Sequence, residues 1–153
     1  MTLTFTLNDR PVVREIDPAD SLLTVLRACG CASVRSGCDT SSCGICTVWL
    51  DGKPVLSCSC PAAKAEGRAV TTIEGVRAEA EEVMTLMAEE GADQCGYCSP
   101  GFLMTVLAML RELDDPSEEE IKRYLAGNLC RCTGYASQTR VLKKLYEKRR
   151  QAQ

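Results

Sequence analysis

Cysteine is the residue type that most restricts what this chain can fold into. The sequence holds eleven cysteines and no histidine, and most of the cysteines fall into three short groups: Cys38, Cys43 and Cys46; Cys95 and Cys98; Cys130 and Cys132. An odd number of cysteines cannot pair completely into disulfides. A chain without histidine cannot form mixed Cys/His zinc sites or Rieske clusters, and it has no imidazole base. Metal sites built from cysteine alone therefore remain.

Composition indicates a globular protein in a reducing compartment. The 153 residues are 45% apolar and 25% charged, which is typical of one ordinary domain or two small ones. The net charge of -3 is spread along the chain without a basic stripe, so we expect no nucleic-acid partner. The N-terminus lacks the basic and apolar regions of a signal peptide, and no apolar run approaches the roughly 20 residues of a membrane span. We therefore expect a cytoplasmic protein without a membrane segment.

The first half of the sequence has the pattern of a small mixed α+β domain. Alternating residues predict strands, Asp51-Gly52 is a strong hairpin turn, and Pro18 and Asp20 lie near the start of an apolar-faced helix. The expected strands are 3–7, 12–16, 46–50, 53–58 and 68–76. Two strands followed by a helix are the opening of a β-grasp fold.

The second half changes to helical periodicity near residues 74–80, which places a domain boundary there. Ser117 is a predicted N-cap, Glu120 completes a capping box, and Gly127 is a predicted helix stop. The expected helices are 79–91, 99–113, 116–127 and 137–150. We therefore predict an α+β protein with two domains, 1–76 and 77–153, the second being a four-helix bundle.

The first cysteine group has the spacing of a plant-type 2Fe-2S site. Cys38, Cys43 and Cys46 form a C-x4-C-x2-C pattern, and Cys58 follows later in the chain. Glycines in the loop, Gly37 and Gly44 among them, allow the backbone N–H groups to approach a negatively charged cluster. Tetrahedral zinc is the alternative, because it also takes four cysteines. Cys60 would point to the same strand face as Cys58, so spacing does not choose between them.

The second group is less specific. Cys95 and Cys98 lie between the first two predicted helices of this half, and Cys130 and Cys132 lie between the last two. A C-x2-C with a distant C-x-C suits a zinc site, a redox dithiol or an iron–sulfur cluster. The three other cysteines, Cys29, Cys31 and Cys60, are interpreted as small apolar residues.

Taken together, the motifs resemble one known family. "GCDTSSCGICTVWLDGKPVLSC", "QCGYCSPG" and "GNLCRCTGY" closely resemble the iron–sulfur subunit of the molybdenum hydroxylases, the family of xanthine dehydrogenase and aldehyde oxidoreductase, over nearly the whole chain. The resemblance implies a β-grasp ferredoxin-like domain followed by a helical domain, each with one 2Fe-2S cluster. It assigns Cys38, Cys43, Cys46 and Cys58 to the first cluster and Cys95, Cys98, Cys130 and Cys132 to the second.

The resemblance also implies a role. Electrons would pass from a molybdopterin site on a large partner subunit through the helical-domain cluster and then the β-grasp cluster to flavin or another acceptor. A further FAD-binding subunit would complete a hetero-oligomer, such as a dimer of heterotrimers, and this chain would hold no substrate site. Gln94 and the backbone around Cys132 would contact the pterin; a helix-capping amide is the alternative for Gln94.

Two other functions account for the cysteines, and one residue departs from the family pattern. A diffusible two-cluster ferredoxin would leave the Gln94 motif without a role, and a structural double-zinc scaffold would fit the spacing poorly. Asp39 stands where many relatives carry glycine. An added carboxylate near a cluster is expected to lower its reduction potential, because reduction adds negative charge to an already negative site.

Overall fold

The N-terminal half forms one mixed sheet with a helix against it. A computed structural model describes residues 1–152. Its first part contains β1 (Thr2–Leu7), β2 (Arg10–Glu15), α1 (Leu22–Ala28), β3 (Thr47–Leu50), β4 (Lys53–Leu56) and β5 (Ala69–Thr71). The strand order is β2-β1-β5-β3-β4, with β1 and β5 parallel and the other neighbours antiparallel. This arrangement confirms the predicted β-grasp fold.

Tight turns fix the register of both hairpins. Asn8 and Asp9 have φ of 48° and 63°, and Asp51 and Gly52 have φ of 49° and 77°. Two consecutive residues with positive φ form the turn that matches the natural twist of a β-hairpin. The register pairs Leu7 with Arg10 across the first turn, so β2 begins earlier than the sequence pattern predicted.

Two strand predictions are too long. The strand expected over 53–58 ends at Leu56, and Cys58 lies in the turn that follows. The strand expected over 68–76 ends at Thr71, and Ile73–Gly75 forms a 3₁₀ turn. Backbone hydrogen bonding explains the first early end, because Ser59 and Cys60 donate their N–H groups back to the Leu56 carbonyl. The expected alternation of Cys58 and Cys60 along a strand is therefore wrong.

Four α-helices follow, as the sequence predicted: α2 (Arg77–Glu89), α3 (Ser99–Glu112), α4 (Glu118–Tyr124) and α5 (Ala136–Ala152). Ser117 and Glu120 form the predicted capping box at the start of α4. The helix stop is wrong by one turn, since α4 ends at Tyr124 and a 3₁₀ turn continues to Gly127. None of the helices in the described part of the chain combines the length and apolar character that a bilayer crossing requires.

Each half has its own apolar core, and one residue joins them. Leu3, Leu22 and Val70 are buried in the sheet core, whereas Met104 and Leu145 are buried in the helical core. Trp49 belongs to β3 but packs into the helical core. Its indole N–H donates to the Met104 carbonyl of α3 at 3.0 Å. The sheet is therefore docked against α3, and this contact fixes how the cysteine loops of the two halves face each other.

Candidate metal centres

The first cysteine group forms a compact site. Cys38, Cys43 and Cys46 lie in the loop between α1 and β3, and Cys58 reaches them from the turn after β4. The thiols lie in two pairs, Cys38 with Cys43 and Cys46 with Cys58, each close enough to shift the pKa of its partner. Cys43 and Cys46 are buried, and the other two are half-buried. The structure thus places these four side chains in two pairs, with Cys58, which the family resemblance rather than the spacing had preferred to Cys60, beside Cys46.

Backbone N–H groups stabilise negative charge on the outer sulfur of this site. The Cys43 thiol and the backbone N–H groups of Ser42, Cys43 and Thr40 donate hydrogen bonds that lower the pKa of Cys38 to about 6. Thiolate is the form of cysteine that binds metal. The loop is therefore shaped to hold a thiolate before any metal is bound.

The two buried thiols of this site have raised pKa values, in contrast to Cys38. Burial raises the pKa of both Cys43 and Cys46, although N–H donors from Ile45 and Gly37 act against it at Cys43. At Cys46 the N–H of Cys58 does the same. A buried thiol of this kind loses its proton when a metal supplies compensating charge. Donors that already point at these sulfurs would then stabilise the metal-bound thiolates.

The second group forms a site at the base of α3. Cys95 and Cys98 precede this helix, and Cys130 and Cys132 lie in the loop before α5. The thiols again lie in two pairs, Cys98 with Cys130 and Cys95 with Cys132, each close enough to shift the pKa of its partner. Burial, followed by the contact with Cys130, raises the pKa of Cys98 to about 12. Cys95 and Cys132 are exposed, so this site opens to the surface on one side.

Both donor sets fit a dinuclear cluster. In a 2Fe-2S cluster, four cysteines hold two irons, and two pairs of thiols are the arrangement that two adjacent irons need. A single zinc ion needs four sulfurs converging on one point at about 2.3 Å. Within residues 1–152, no three or more His, Cys, Asp or Glu side chains are grouped so as to hold one metal ion. The pairing of the thiols therefore favours a 2Fe-2S cluster over a single zinc ion at each site.

The two sites adjoin each other. One cavity of about 400 Å³ is lined by cysteines of both groups, namely Cys38, Cys43, Cys95, Cys98, Cys130 and Cys132. The backbone N–H of Leu129 donates to the carbonyl of Cys43 at 2.9 Å. Because Leu129 directly precedes Cys130, this single hydrogen bond connects the backbone of one site to that of the other.

A second contact between the two loops was not predicted from the sequence. The Arg35 guanidinium donates to the carbonyl of Gly96 at 2.7 Å and lies 5.2 Å from the ring centroid of Tyr97. The Tyr97 hydroxyl donates to the Ser36 carbonyl at 2.7 Å. The position of Tyr97 between Cys95 and Cys98 was the one sign in the sequence that this residue belongs to the site. Its hydrogen-bond partner lies about 60 residues earlier, and no local sequence pattern identifies that partner.

The remaining candidates are not members of the thiol pairs. Gln94 is exposed beside Cys95, and within residues 1–152 its amide makes no hydrogen bond, so the helix-capping alternative has no support. Cys31 is buried in the sheet core, and Cys29 and Cys60 are partly buried against it, as expected of small apolar residues. Asp39 is exposed in the first cysteine loop.

The comparisons with known families agree with the two sites. Residues 5–72 match the family model described as "2Fe-2S iron-sulfur cluster binding domain". Residues 72–143 match the one described as "[2Fe-2S] binding domain". Each match contains one of the two cysteine groups.

Some related proteins are of similar length to this chain, and others are much longer. It is 41% identical over 138 residues to the nicotinate dehydrogenase small FeS subunit of Eubacterium barkeri, covering 87% of this chain and 88% of that one. It is 43% identical over 148 residues to aldehyde oxidase 2 of Cavia porcellus, where the match covers 87% of this chain but 11% of the longer protein. The structure is similar to a chain in the crystal structure of quinoline 2-oxidoreductase from Pseudomonas putida 86, with a TM-score of 0.88 and 34% identity over 99% of this chain and 96% of that one.

Proposed function

Because the chain belongs to the iron–sulfur subunits of the molybdenum hydroxylases, the family of xanthine dehydrogenase and aldehyde oxidoreductase, we propose that it relays electrons between a molybdopterin site and a second acceptor, each on a partner subunit. The observation that carries this proposal is the adjacency of two four-cysteine sites along one cavity. Two metal sites with purely structural roles would not need to lie next to each other, whereas electron transfer between two clusters requires it. A diffusible ferredoxin is not favoured, since the match covers 88% of a dehydrogenase subunit.

The ligands follow from the two groups of thiols. The first cluster would be held by Cys38, Cys43, Cys46 and Cys58, and the second by Cys95, Cys98, Cys130 and Cys132. Bound there, each 2Fe-2S cluster supplies a one-electron carrier. The N–H donors around Cys38 and Cys43 would offset the negative charge of the first site. We place the boundary between the two cluster-binding domains at residues 76 and 77, where α2 begins.

The chain's own contribution to the relay is to hold the two sites at a fixed separation. The hydrogen bond from Leu129 to the Cys43 carbonyl and the contacts of Arg35 with Gly96 and Tyr97 hold the two loops at a fixed separation. The exposed side of the second site, at Cys95 and Cys132, supports entry of electrons there, and the first site would pass them on. Gln94 and the backbone at Cys132 would contact the pterin, because both are exposed at that opening.

The partners follow from the same opening. We propose a large molybdopterin-binding subunit over the second site and an FAD-binding subunit near the first, in a hetero-oligomer such as a dimer of heterotrimers. Tyr97, Leu129 and Tyr135 are exposed apolar side chains at the cavity that joins the sites, and such patches are typical of protein interfaces. Eleven unpaired cysteines support the cytoplasm as the location.

The experiment is to measure iron and acid-labile sulfide per chain on anaerobically purified complex and to record EPR spectra after dithionite reduction. About four irons and four sulfides per chain, with two distinct S = 1/2 signals, are expected of two 2Fe-2S clusters. Zinc in place of iron, without a signal, would refute electron transfer.

A further inference from the structure

One hydroxyl group lies against a sulfur of the second site. Thr133 Oγ1 is 3.2 Å from Cys130 Sγ, and it accepts a hydrogen bond from the backbone N–H of Tyr135, also at 3.2 Å. The bond from Tyr135 occupies the lone-pair side of the oxygen. The hydroxyl hydrogen is therefore free to point away from Tyr135, toward the sulfur.

A second acceptor competes for this hydrogen. Gln138 Oε1 lies 3.4 Å from Thr133 Oγ1, and Gln138 is buried, with 4% of its surface exposed. A hydroxyl has one hydrogen to donate. At 3.4 Å the bond to the amide oxygen is beyond the usual range for O–H···O, whereas 3.2 Å is a close contact for a sulfur acceptor. The geometry favours Cys130 and leaves Gln138 as the weaker competitor.

Reduction of a cluster strengthens the preference for sulfur. An added electron increases the negative charge on the cysteine sulfurs, and hydrogen bonds to charged acceptors are stronger than those to neutral ones.

Within residues 1–152, no hydroxyl donates to a cysteine sulfur of the first site at this distance. The Ser57 hydroxyl donates to the Cys46 carbonyl at 2.7 Å instead. Cys58 Sγ and Ser41 Oγ are 3.6 Å apart, and Ser41 is exposed to water. A hydrogen bond is worth less when water competes for both partners. The two sites therefore differ in one short, partly buried O–H···S contact.

We propose that the Thr133 hydroxyl raises the reduction potential of the helical-domain cluster and that Gln138 limits this effect by competing for its hydrogen. The proposal rests on the proposed function, since it requires a cluster at this site. Reduction adds one electron to the cluster while the hydroxyl keeps its proton, so no bond forms or breaks. Thr133 is a positioning residue, and its effect is confined to one of the two clusters.

The test is an EPR-monitored redox titration of the complex, purified anaerobically with its partner subunits. The two signals are first assigned with Cys58→Ser and Cys95→Ser. Thr133→Val removes the hydroxyl at nearly constant shape, Thr133→Ser retains it, and Gln138→Leu removes the competing acceptor. Thr139→Val is the matched control, because the Thr139 hydroxyl donates to the Tyr135 carbonyl, which keeps its bond from the Thr139 N–H.

The expected result has opposite signs in two variants. Thr133→Val lowers the midpoint potential of the helical-domain cluster, Gln138→Leu raises it, and Thr133→Ser and Thr139→Val leave it near the wild-type value. The other cluster does not move in any of them. An unchanged potential in Thr133→Val, or equal shifts of both clusters, overturns the proposal. If Thr133→Val does not take up its cluster, an unchanged or lowered potential in Gln138→Leu overturns it. A complex without iron signals would refute the proposed function instead.

Discussion

At the scale of single residues, the structure separates two cysteines that their spacing could not. Cys58 lies beside Cys46, whereas Cys60 packs against the sheet core. The separation arises because β4 ends at Leu56 and the chain turns there. Strand periodicity had given both thiols the same face, and it does not apply in a turn.

Serine substitutions at these two positions should therefore differ. We expect Cys58→Ser to lose or strongly alter one EPR signal and to lower the iron content by up to about two atoms per chain, since a cluster with one weak ligand is poorly retained. Cys60→Ser should keep both signals and the full iron content. The measurement is metal analysis with EPR on both variants, and equal effects would contradict the assignment of Cys58.

Asp39 provides a second test at this scale. Its exposed carboxylate lies next to Cys38 in the first cysteine loop. Asp39→Gly should raise the potential of the β-grasp cluster by on the order of 20 mV, the effect of one charge roughly 8 Å away in water. Glu147→Gln, which removes the same charge from exposed α5, should leave that potential unchanged. A redox titration in which Asp39→Gly has no effect would contradict this.

Local chemistry was predictable at the cysteine loops, but contacts across the domains were not. Spacing located the cysteine loops, the family resemblance completed the two ligand sets, and Gly44 does have a positive φ of 69°. Arg35, Tyr97 and Thr133 were missed. Their roles depend on which loop lies opposite, and that is set by the docking of the sheet on α3 rather than by neighbours in sequence.

At the scale of helices and strands, β3 is the element that joins the two halves. Trp49 extends from it into the helical core, and the Arg111 guanidinium of α3 stacks 4.0 Å from its ring centroid. Arg111 also pairs with Glu79 of α2 at 2.6 Å. Three elements are thus linked through Trp49 and Arg111.

Trp49→Phe should destabilise the full chain by about 2 kcal/mol, because it removes the indole hydrogen bond, weakens the cation–π contact and leaves a small cavity. Urea denaturation is the measurement. Tyr146→Phe is the matched control in the same core: within residues 1–152 the buried Tyr146 hydroxyl has no hydrogen-bond partner, so its removal should leave stability equal or higher. A Trp49→Phe chain as stable as wild type would show that the docking does not depend on this residue.

The pairing of α2 with α5 should depend on pH. Glu90 at the end of α2 is 12% exposed and contacts both Arg140 and Lys144. Hydrogen bonds from Lys144 and Arg140 lower the pKa of Glu90 below its ordinary value of 4.5. A lowered folded-state pKa means that this stabilisation is complete above about pH 4.5 and is lost as the pH falls through the folded-state pKa.

Glu90→Gln should therefore reduce the urea midpoint at pH 7 and lose this difference from wild type as the pH falls below about 4.5. Glu89→Gln is the neighbouring control, since Glu89 is exposed; it should behave as wild type. A difference between Glu90→Gln and wild type that stays constant down to pH 3 would contradict the pairing.

The element order was predictable from periodicity and turn residues, and element ends were not. The Ser117–Glu120 capping box was correctly placed because its signal is local. The lengths of the last strand and of α4 were overestimated, because apolar residues continue beyond the end of each. Ile73 follows the strand and Leu125 follows α4, and both pack against the helical core from 3₁₀ turns. Apolar character marked their burial and not their backbone conformation.

At the scale of the whole molecule, several exposed apolar side chains lie together around the shared cavity. Tyr97, Leu129 and Tyr135 are 44%, 47% and 41% exposed. The chain expressed without its partners should aggregate or lose its clusters, and size-exclusion chromatography with iron analysis would measure this. Leu129→Gln should reduce the aggregation, whereas Val13→Gln on the distant edge strand β2 should not. A stable monomer with both clusters would argue against obligate assembly.

Two glycines decide how closely the halves of the molecule approach. A methyl group on Gly101 would lie 2.5 Å from the carbonyl oxygens of Gly44 and Ile45, and one on Gly44 would collide with the Gly127 carbonyl. Either alanine substitution would push the cysteine loops apart without removing any thiol. The rate of electron tunnelling falls steeply with distance. A single added methyl group would therefore slow electron transfer between the two sites, in a protein that still folds and still holds its iron.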